Sequence, residues 1–328
     1  MKVESCPRCF SSAIKRNGRK KGIQQYKCLK CFRYFNCKTL TIFAHLQKLY
    51  KWNDFLEDFL SLNISTLRNL KGKLQLSEQT IFNWRHKLLS AIIVRSQNKF
   101  FGESLEFDET FFKISRKGRQ NLGIKNKNAY RRWRKSLKED SRHSVKLFFL
   151  YGRGSKKLDT YLSHMGGTNL QHLRNYFYKE RFKKVIMISD SHPSYLRFFK
   201  KNKIPHEVCL SKDHIDHKNR KVHPKTVNAF TRGFKTFVNQ HLRGVSTKYL
   251  SCYSKWFEFV YTTKQMMINC KTLRFDATKE IVLHVVKDNL GLDIYRQSET
   301  SFQYFLKGNH NKDFGNCKNH YYQQKKAA

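Results

Sequence analysis

Two Cys-X-X-Cys pairs near the amino terminus constrain this chain more than any other feature. They are formed by Cys6 and Cys9, and by Cys28 and Cys31. Four thiolates at this spacing can surround one zinc ion tetrahedrally, because each pair forms a tight turn and the segment between the pairs can fold back. The pattern predicts a zinc ribbon over residues 1–40, in which the single Zn²⁺ is structural since four protein ligands leave no open position.

The segment between the two cysteine pairs supports the same interpretation. Its Asn17-Gly18 dipeptide is a turn signal and predicts a β-hairpin that brings the pairs together. The alternative is four buried free thiols, which the regular spacing disfavours. Basic residues cover the hairpin, namely Lys15, Arg16, Arg19, Lys20 and Lys21.

The charge of the chain indicates the kind of partner it binds. Lysine and arginine number 66 against 24 acidic residues, a formal net charge of +42, and the basic residues are spread along the whole sequence. Such a charge destabilises a compact fold through self-repulsion unless a polyanion relieves it, so a merely solubilising surface is a poor explanation. An aromatic content of 14% argues against global disorder. We expect a folded protein that binds nucleic acid.

The length of the chain and its cysteines indicate the number of domains and the cellular compartment. A chain of 328 residues is long for one core, so we expect two or three domains. The sequence shows no signal peptide and no apolar run of membrane-spanning length. The other cysteines bring the total to an odd nine, which fits a reducing, cytoplasmic location without membrane contact. They are Cys37, Cys209, Cys252, Cys270 and Cys317.

Residues 41–98 show helical periodicity. The stretches 65–74 and 77–89 resemble a helix-turn-helix, with Ser77 as the cap of the second helix. The periodicity then predicts Gln79, Asn83 and His86 on the outer face, where a recognition helix contacts base edges. An ordinary helical hairpin that serves as a linker is the alternative.

Two aspartates lie in predicted strands after residue 99. Asp108 is near the centre or the end of the strand SLEFDETFFKI, which alternates and is rich in Phe, and Asp190 ends the buried strand KKVIMISD. Open α/β sheets place their chemistry at the carboxyl ends of such strands. An aspartate in this position can also be a simple turn or helix cap.

A third element is the predicted helix after Pro224, which places Asn228 and Lys235 on nearly the same face two turns apart. Thr231 and Arg232 lie on the same stripe. Asn228 could help to hold a metal ion while Lys235 reaches a phosphate. The alternative is a solvated basic helix.

The ordered set of motifs resembles a known family over residues 5–263. CPRC and CLKC, a helix-turn-helix-like segment, FDET, a strand that ends in Asp, and VHPKTVN with Lys seven residues on are similar to the zinc-ribbon insertion-sequence transposases with a DDNK-type site, the ISXO-like branch of the DDE transposases. The resemblance implies an α/β, RNase H-like catalytic domain with two Mg²⁺ or Mn²⁺ ions. It implies cleavage and strand transfer on element terminal repeats and target DNA, by a homo-oligomer on DNA.

The resemblance also assigns residues and domains. Asp108 would be the first metal-binding carboxylate, Asp190 the second, Asn228 the third ligand and Lys235 a phosphate contact. The expected domains are the ribbon (1–40), the helix-turn-helix-like segment (41–98), the RNase H-like domain (99–263) and a basic, partly helical extension (264–328). Further phosphate contacts are expected from Arg131, Arg132, Arg134 and Arg232.

The sequence leaves two other classes of function open. The first is a non-catalytic DNA-binding regulator or decayed transposase copy, because Asn228 occupies a position where many DDE enzymes carry Glu and supplies less charge to a hard cation. Asp213 and Asp216 are nearby carboxylates that could substitute. The second is a structural RNA-binding protein, which a zinc ribbon and high charge also permit.

Overall fold

The computed structural model describes residues 3–39, 43–44, 46, 48–61, 64–95, 104–115, 117, 144–177, 185–209 and 223–269. The arginines at 131, 132 and 134, the aspartates at 213 and 216, and residues 270–328 lie outside the described residues, so the predictions for them stay predictions. Within the described ranges, no helix has both the length and the apolar character needed to cross a membrane.

The amino-terminal module is a small antiparallel sheet. Its strands are Ile14–Lys20 (β1), Ile23–Cys28 (β2) and Tyr34–Asn36 (β3). The hairpin turn lies at Lys21-Gly22, whose φ angles of 50° and 77° are both positive, as a type I′ turn requires. The predicted turn at Asn17-Gly18 is therefore wrong. Gly18, also at positive φ, lies where the register of the two strands shifts, which marks a bulge.

Three α-helices follow the ribbon. They are Trp52–Leu60 (α1), Leu67–Leu74 (α2) and Glu78–Arg95 (α3). The side chain of Thr66 caps α2 by accepting a hydrogen bond from the Asn69 N–H at 3.2 Å. Ser77 Oγ accepts from the Thr80 N–H at 3.1 Å, which confirms the predicted cap of the next helix. Because α2 ends at Gln75 in the left-handed conformation, the two helices are joined by a short turn.

The rest of the described chain is an α/β unit. Its strands are Ser104–Lys113 (β4), Ser144–Gly152 (β5), Lys157–Met165 (β6), Ile186–Asp190 (β7) and His206–Cys209 (β8). Its helices are Leu170–Tyr176 (α4), Pro193–Lys201 (α5), Lys225–Thr236 (α6) and Leu250–Asn269 (α7). The sheet order is β6-β5-β4-β7-β8. The first three strands pair antiparallel, whereas β7 and β8 run parallel to β4.

Helices cover both faces of this mixed sheet. Side chains alternate between the faces along each strand, so β4 and β5 contribute aromatic residues to both. On one face Phe107 packs edge-on against Phe148 and against Tyr195 of α5. On the other face Phe149 lies against Phe234 of α6. The site described below lies on this second face.

The three amino-terminal helices share a core with the sheet. Trp256 of α7 stacks on Phe59 of α1 with ring centroids 4.3 Å apart, and its Nε1–H donates to the Phe59 main-chain oxygen at 2.8 Å. Arg85 of α3 is buried and places its guanidinium 5.1 Å from the Trp256 ring. Helix α7 also continues past the predicted domain boundary at residue 263.

Candidate functional site

The pairing of β4 with β7 places two aspartates side by side. Ser104 pairs with Ile186 and Glu106 pairs with Ile188. Continued two residues further, this register brings Asp108 near Asp190, and the charge of Asp190 acts on Asp108. All of these β4 positions have the same parity, so both carboxylates lie on the face covered by α6. Asp190 is the last residue of its strand and is exposed, whereas Asp108 is partly buried. The predicted strand end at Asp190 is confirmed.

Helix α6 brings Asn228 to the same point. With its amide nitrogen facing the two acceptors, Asn228 donates to Asp108 Oδ2 and to the main-chain oxygen of Pro224, each at 3.2 Å. Exchange of the two amide atoms puts an oxygen at the same distance from Asp108. Two oxygens this close repel unless a cation or a proton lies between them. The contact therefore fits a neutral hydrogen bond in one orientation and a shared cation in the other.

Glu106 fixes the start of this helix. Its side chain is fully buried, and Oε2 accepts the Val227 N–H at 2.9 Å while Oε1 accepts Arg153 Nε–H at 2.8 Å. Arg153 continues to the main-chain oxygen of His223 at 2.5 Å. Sequence reasoning missed this network, although the polar run Glu106, Asp108 and Thr110 on one face of a buried strand was a readable signal.

Lys235 lies two turns along α6 from Asn228 and is close enough to Asp108 for its charge to act on that carboxylate. The positive charge of Lys235 lowers the pKa of Asp108, and its Nζ lies 4.9 Å from the centre of the Phe111 ring. Arg232 lies on the exposed side of α6. The structure thus brings Asp108, Asn228 and Lys235 together and leaves Arg232 facing solvent.

The residues after Asp190 form a helix start. Asp190 Oδ1 accepts the His192 N–H at 3.1 Å, and His192 Nδ1 accepts the Ser194 N–H at 3.3 Å, so His192 caps α5. Tyr195 is buried, and burial, together with the charges of Glu109, Asp190 and Asp108, raises its pKa well above the usual value. The cap holds Asp190 at a defined position relative to its strand.

Acidic side chains cluster at this site, although the protein as a whole carries a large positive charge. Burial raises the pKa of Asp108 to about 7, the charges of Asp190 and Glu109 add to the effect, and Lys235 opposes it. Glu106 and Glu109 have ion-pair partners in Arg153 and Lys146, whereas among the described residues neither aspartate forms an ion pair. Two carboxylates close enough for their charges to interact favour binding of a proton or of a metal ion.

The four predicted zinc ligands converge. The Sγ atoms of Cys6, Cys9, Cys28 and Cys31 all lie within 4.8 Å of one another, with Cys6 to Cys31 at 3.7 Å and Cys9 to Cys28 at 3.5 Å. A tetrahedral ion with Zn–S bonds of about 2.3 Å needs sulfurs roughly 3.8 Å apart. The main-chain N–H of Cys31 also donates to Cys28 Sγ at 3.4 Å. This cluster could bind one structural metal ion such as zinc.

Within the described ranges, this cysteine cluster is also the only group of three or more His, Cys, Asp or Glu side chains placed to share an ion. The carboxylate site offers two carboxylates, and its third side-chain oxygen is that of the Asn228 amide. Two carboxylates and an amide are oxygen ligands of the kind that Mg²⁺ and Mn²⁺ accept.

The outer face of α3 differs from its prediction at one residue. Gln79 is exposed, and its side-chain N–H donates to Asn83 Oδ1 at 2.9 Å. His86, expected beside them, is only 2% exposed and packs against Phe82 and Tyr249. The prediction that His86 contacts DNA from an exposed position is wrong, because α3 is covered by α7 on the flank that carries His86.

Comparison with known proteins adds no identification: no family model matches the chain, and a search of curated proteins finds no match.

Proposed function

We propose that this protein is a transposase of an insertion sequence, which binds the ends of the element and catalyses metal-dependent DNA cleavage and strand transfer. The observation that carries the proposal is that Asn228 of α6 contacts Asp108 at 3.2 Å, while the charge of Asp190, at the end of the adjacent parallel strand, also acts on Asp108. The resemblance over residues 5–263 names the same three residues together with Lys235.

In this proposal the protein provides oxygen ligands and phosphate contacts. Asp108 and Asp190 would hold divalent cations, and the amide oxygen of Asn228 would be the third protein ligand. A pair of bound Mg²⁺ or Mn²⁺ ions supplies activation of the attacking oxygen and stabilisation of the departing one. Lys235 steadies a phosphate near Asp108, and the exposed Arg232 contacts the DNA backbone one turn away.

The remaining architecture supports a DNA-end enzyme. A mixed five-strand sheet flanked by helices is the coarse arrangement expected of an RNase H-like catalytic domain. The cysteine cluster orders a basic ribbon without an open metal position, so the ribbon serves binding and the cleavage belongs to the carboxylates. Gln79 and Asn83 on the accessible side of α3 remain candidates for base contacts.

Strand cleavage tests the proposal. Zinc-loaded protein is incubated with end-labelled DNA that carries the sequences flanking the coding region, with Mn²⁺ or Mg²⁺. Cleavage by the parent and by Glu78→Gln, which removes an exposed acid on α3, with loss of at least ~10³-fold in Asp108→Asn and Asp190→Asn, is the expected result. Equal cleavage by the parent and both aspartate variants would show that the cutting activity lies elsewhere.

A non-catalytic DNA-binding regulator or decayed copy is the second candidate. The observation in its favour is that the third oxygen donor, Asn228, is a neutral amide, which supplies less charge to a hard cation than a carboxylate does. Specific binding of the flanking DNA without cleavage under any divalent metal would favour it. Preference for structured RNA over duplex DNA at matched salt would favour an RNA-binding protein instead.

A further inference from the structure

The same type of residue follows both cysteine pairs of the ribbon. Each Cys-X-X-Cys is followed by a phenylalanine, Phe10 in the first and Phe32 in the second, and the two side chains are 62% and 68% exposed. Neither belongs to the core of the ribbon, which is formed by Cys6, Cys28 and Phe35. Exposure of one large apolar side chain is common, but a repeated exposure at equivalent positions is a pattern.

The backbone at both phenylalanines is strained. Their φ angles are +57° and +58°, in the left-handed region that glycine adopts freely and other residues avoid. The turn itself needs this conformation, since the Phe10 N–H bonds the Cys6 main-chain oxygen at 2.9 Å. Glycine would build the same turn at lower cost. The aromatic rings therefore add strain and exposed apolar surface, without adding to the core of the ribbon.

The ribbon that carries the two rings is basic. Residues 3–39 contain ten lysines and arginines and a single acid, Glu4, so a strongly anionic partner is favoured. Tyr34 and Leu29 are also exposed, and Lys27 Nζ lies 5.5 Å from the centre of the Tyr34 ring. Planar apolar rings among cations suit nucleobases joined to phosphates, because bases stack on aromatic faces while the cations bind the backbone.

We propose that Phe10 and Phe32 stack on unpaired or unstacked bases of DNA, so that the ribbon prefers opened or distorted DNA to a regular duplex. The inference rests on the proposed function in taking DNA as the partner. It differs in assigning the ribbon a preference for DNA structure. In a regular duplex the base faces are covered, so there the ribbon contributes phosphate contacts alone.

Equilibrium binding separates the two contributions. Zinc-loaded full-length protein is titrated without divalent metal into two labelled duplexes of equal length, one fully paired and one with a short central unpaired stretch. Phe10→Gly/Phe32→Gly is expected to weaken binding of the opened DNA by about 10- to 100-fold and of the paired DNA by less than about 3-fold. Because glycine relieves the backbone strain, the cysteine cluster should still take up Co²⁺ with an unchanged absorption spectrum.

Two further variants complete the test. Phe10→Trp/Phe32→Trp retains planar rings and should retain the preference, with tryptophan fluorescence quenched by the opened DNA. Tyr50→Ala removes a ring that is 75% exposed outside the ribbon and should leave both affinities unchanged. Equal affinity of the glycine variant and the parent for opened DNA, or an equal loss on both duplexes, would overturn the proposal.

The same experiments distinguish binding of DNA bases from binding of a membrane surface, and they do not depend on the catalytic proposal. Binding to phosphatidylserine vesicles that requires the two phenylalanines, with no effect of the glycine variant on DNA, would also overturn the proposal. The titrations contain no added divalent metal, so no DNA cleavage takes place in them. The stacking result therefore stands or falls independently of whether the protein cleaves DNA.

Discussion

The ribbon and the sheet unit arrange their polar sites by opposite means. In the ribbon, three short strands surround a core of Cys6, Cys28 and Phe35, too small to hold a fold by apolar burial alone. In the sheet unit, aromatic layers on both faces position Asp108 and Asp190 before any cation binds. The difference indicates that the cysteine cluster would depend on its metal ion for its shape, whereas the metal ion proposed for the carboxylates would bind residues that the apolar core already holds in place.

Loss of zinc is expected to have the largest effect and to stay within the ribbon. Cys9→Ser should unfold residues 3–39, because structural zinc contributes on the order of 10 kcal/mol to such modules. Hydrogen exchange checks this, with Cys209→Ser as the control thiol in the sheet unit. Loss of protection throughout the sheet in Cys9→Ser would show that the two regions are not separately stabilised.

Removal of Trp256 should destabilise the sheet unit and leave the ribbon intact. Trp256→Ala should lower the free energy of unfolding of the sheet unit by about 3–5 kcal/mol, because it deletes the ring between Phe59 and Arg85 and leaves a cavity. Urea denaturation measures the loss, and bound zinc should remain at one ion per chain. Loss of zinc together with the loss of stability would show that the ribbon and the sheet unit are not stabilised separately.

The anchor of α6 should matter less than the core. Glu106→Gln keeps the shape of the side chain but leaves Arg153 without its carboxylate, and we expect a loss of about 2–3 kcal/mol in unfolding free energy. Glu109→Gln is the comparison variant, and we expect a smaller loss, since its pair with Lys146 is longer at 3.4 Å and Glu109 is less buried than Glu106. Equal effects of the two changes would remove the special role of Glu106.

The smallest expected effect is a pH dependence from His86. Burial, with the charges of Arg85 and Lys248, lowers the pKa of His86 to about 3. The unfolded chain therefore binds a proton near pH 6.5 that the folded protein excludes, so stability is full above that pH and falls as pH falls. His86→Phe should flatten the fall between pH 7.5 and pH 5 by about 1–2 kcal/mol. Denaturation curves of the two proteins that stay parallel over this range would show that His86 is not held neutral.

Sequence patterns captured the features that rest on local spacing. The cysteine pairs, the strand that ends at Asp190 and the helix after Pro224 each depend on a few neighbouring residues, and the structure has all three elements. The nearness of Asn228 to Asp108 was expected only from the resemblance. Spacing alone could not show it, because the distance between a strand and a distant helix is set by packing.

The features that sequence reasoning missed depend on tertiary contacts. His86 was placed on an outer face because a single helix has one apolar stripe, but α3 contacts α2 on one side and α7 on another, so a second flank is buried. The hairpin turn lies at Lys21-Gly22 because the bulge at Gly18 moves the reversal along the chain. The polar run Glu106, Asp108 and Thr110 signals a buried polar face, but the partners of Glu106 are set by packing and are identified only in the structure.

Binding of Mn²⁺ at the carboxylate pair tests the central claim most directly. Zinc-loaded protein is titrated with Mn²⁺, and the free ion is followed by electron paramagnetic resonance. The parent and Glu78→Gln should bind Mn²⁺ at least ~10-fold more tightly than Asp108→Asn/Asp190→Asn, because loss of both charges removes the ionic ligands and leaves neutral amides. Equal affinity in all three proteins would show that Asp108 and Asp190 hold no metal ion.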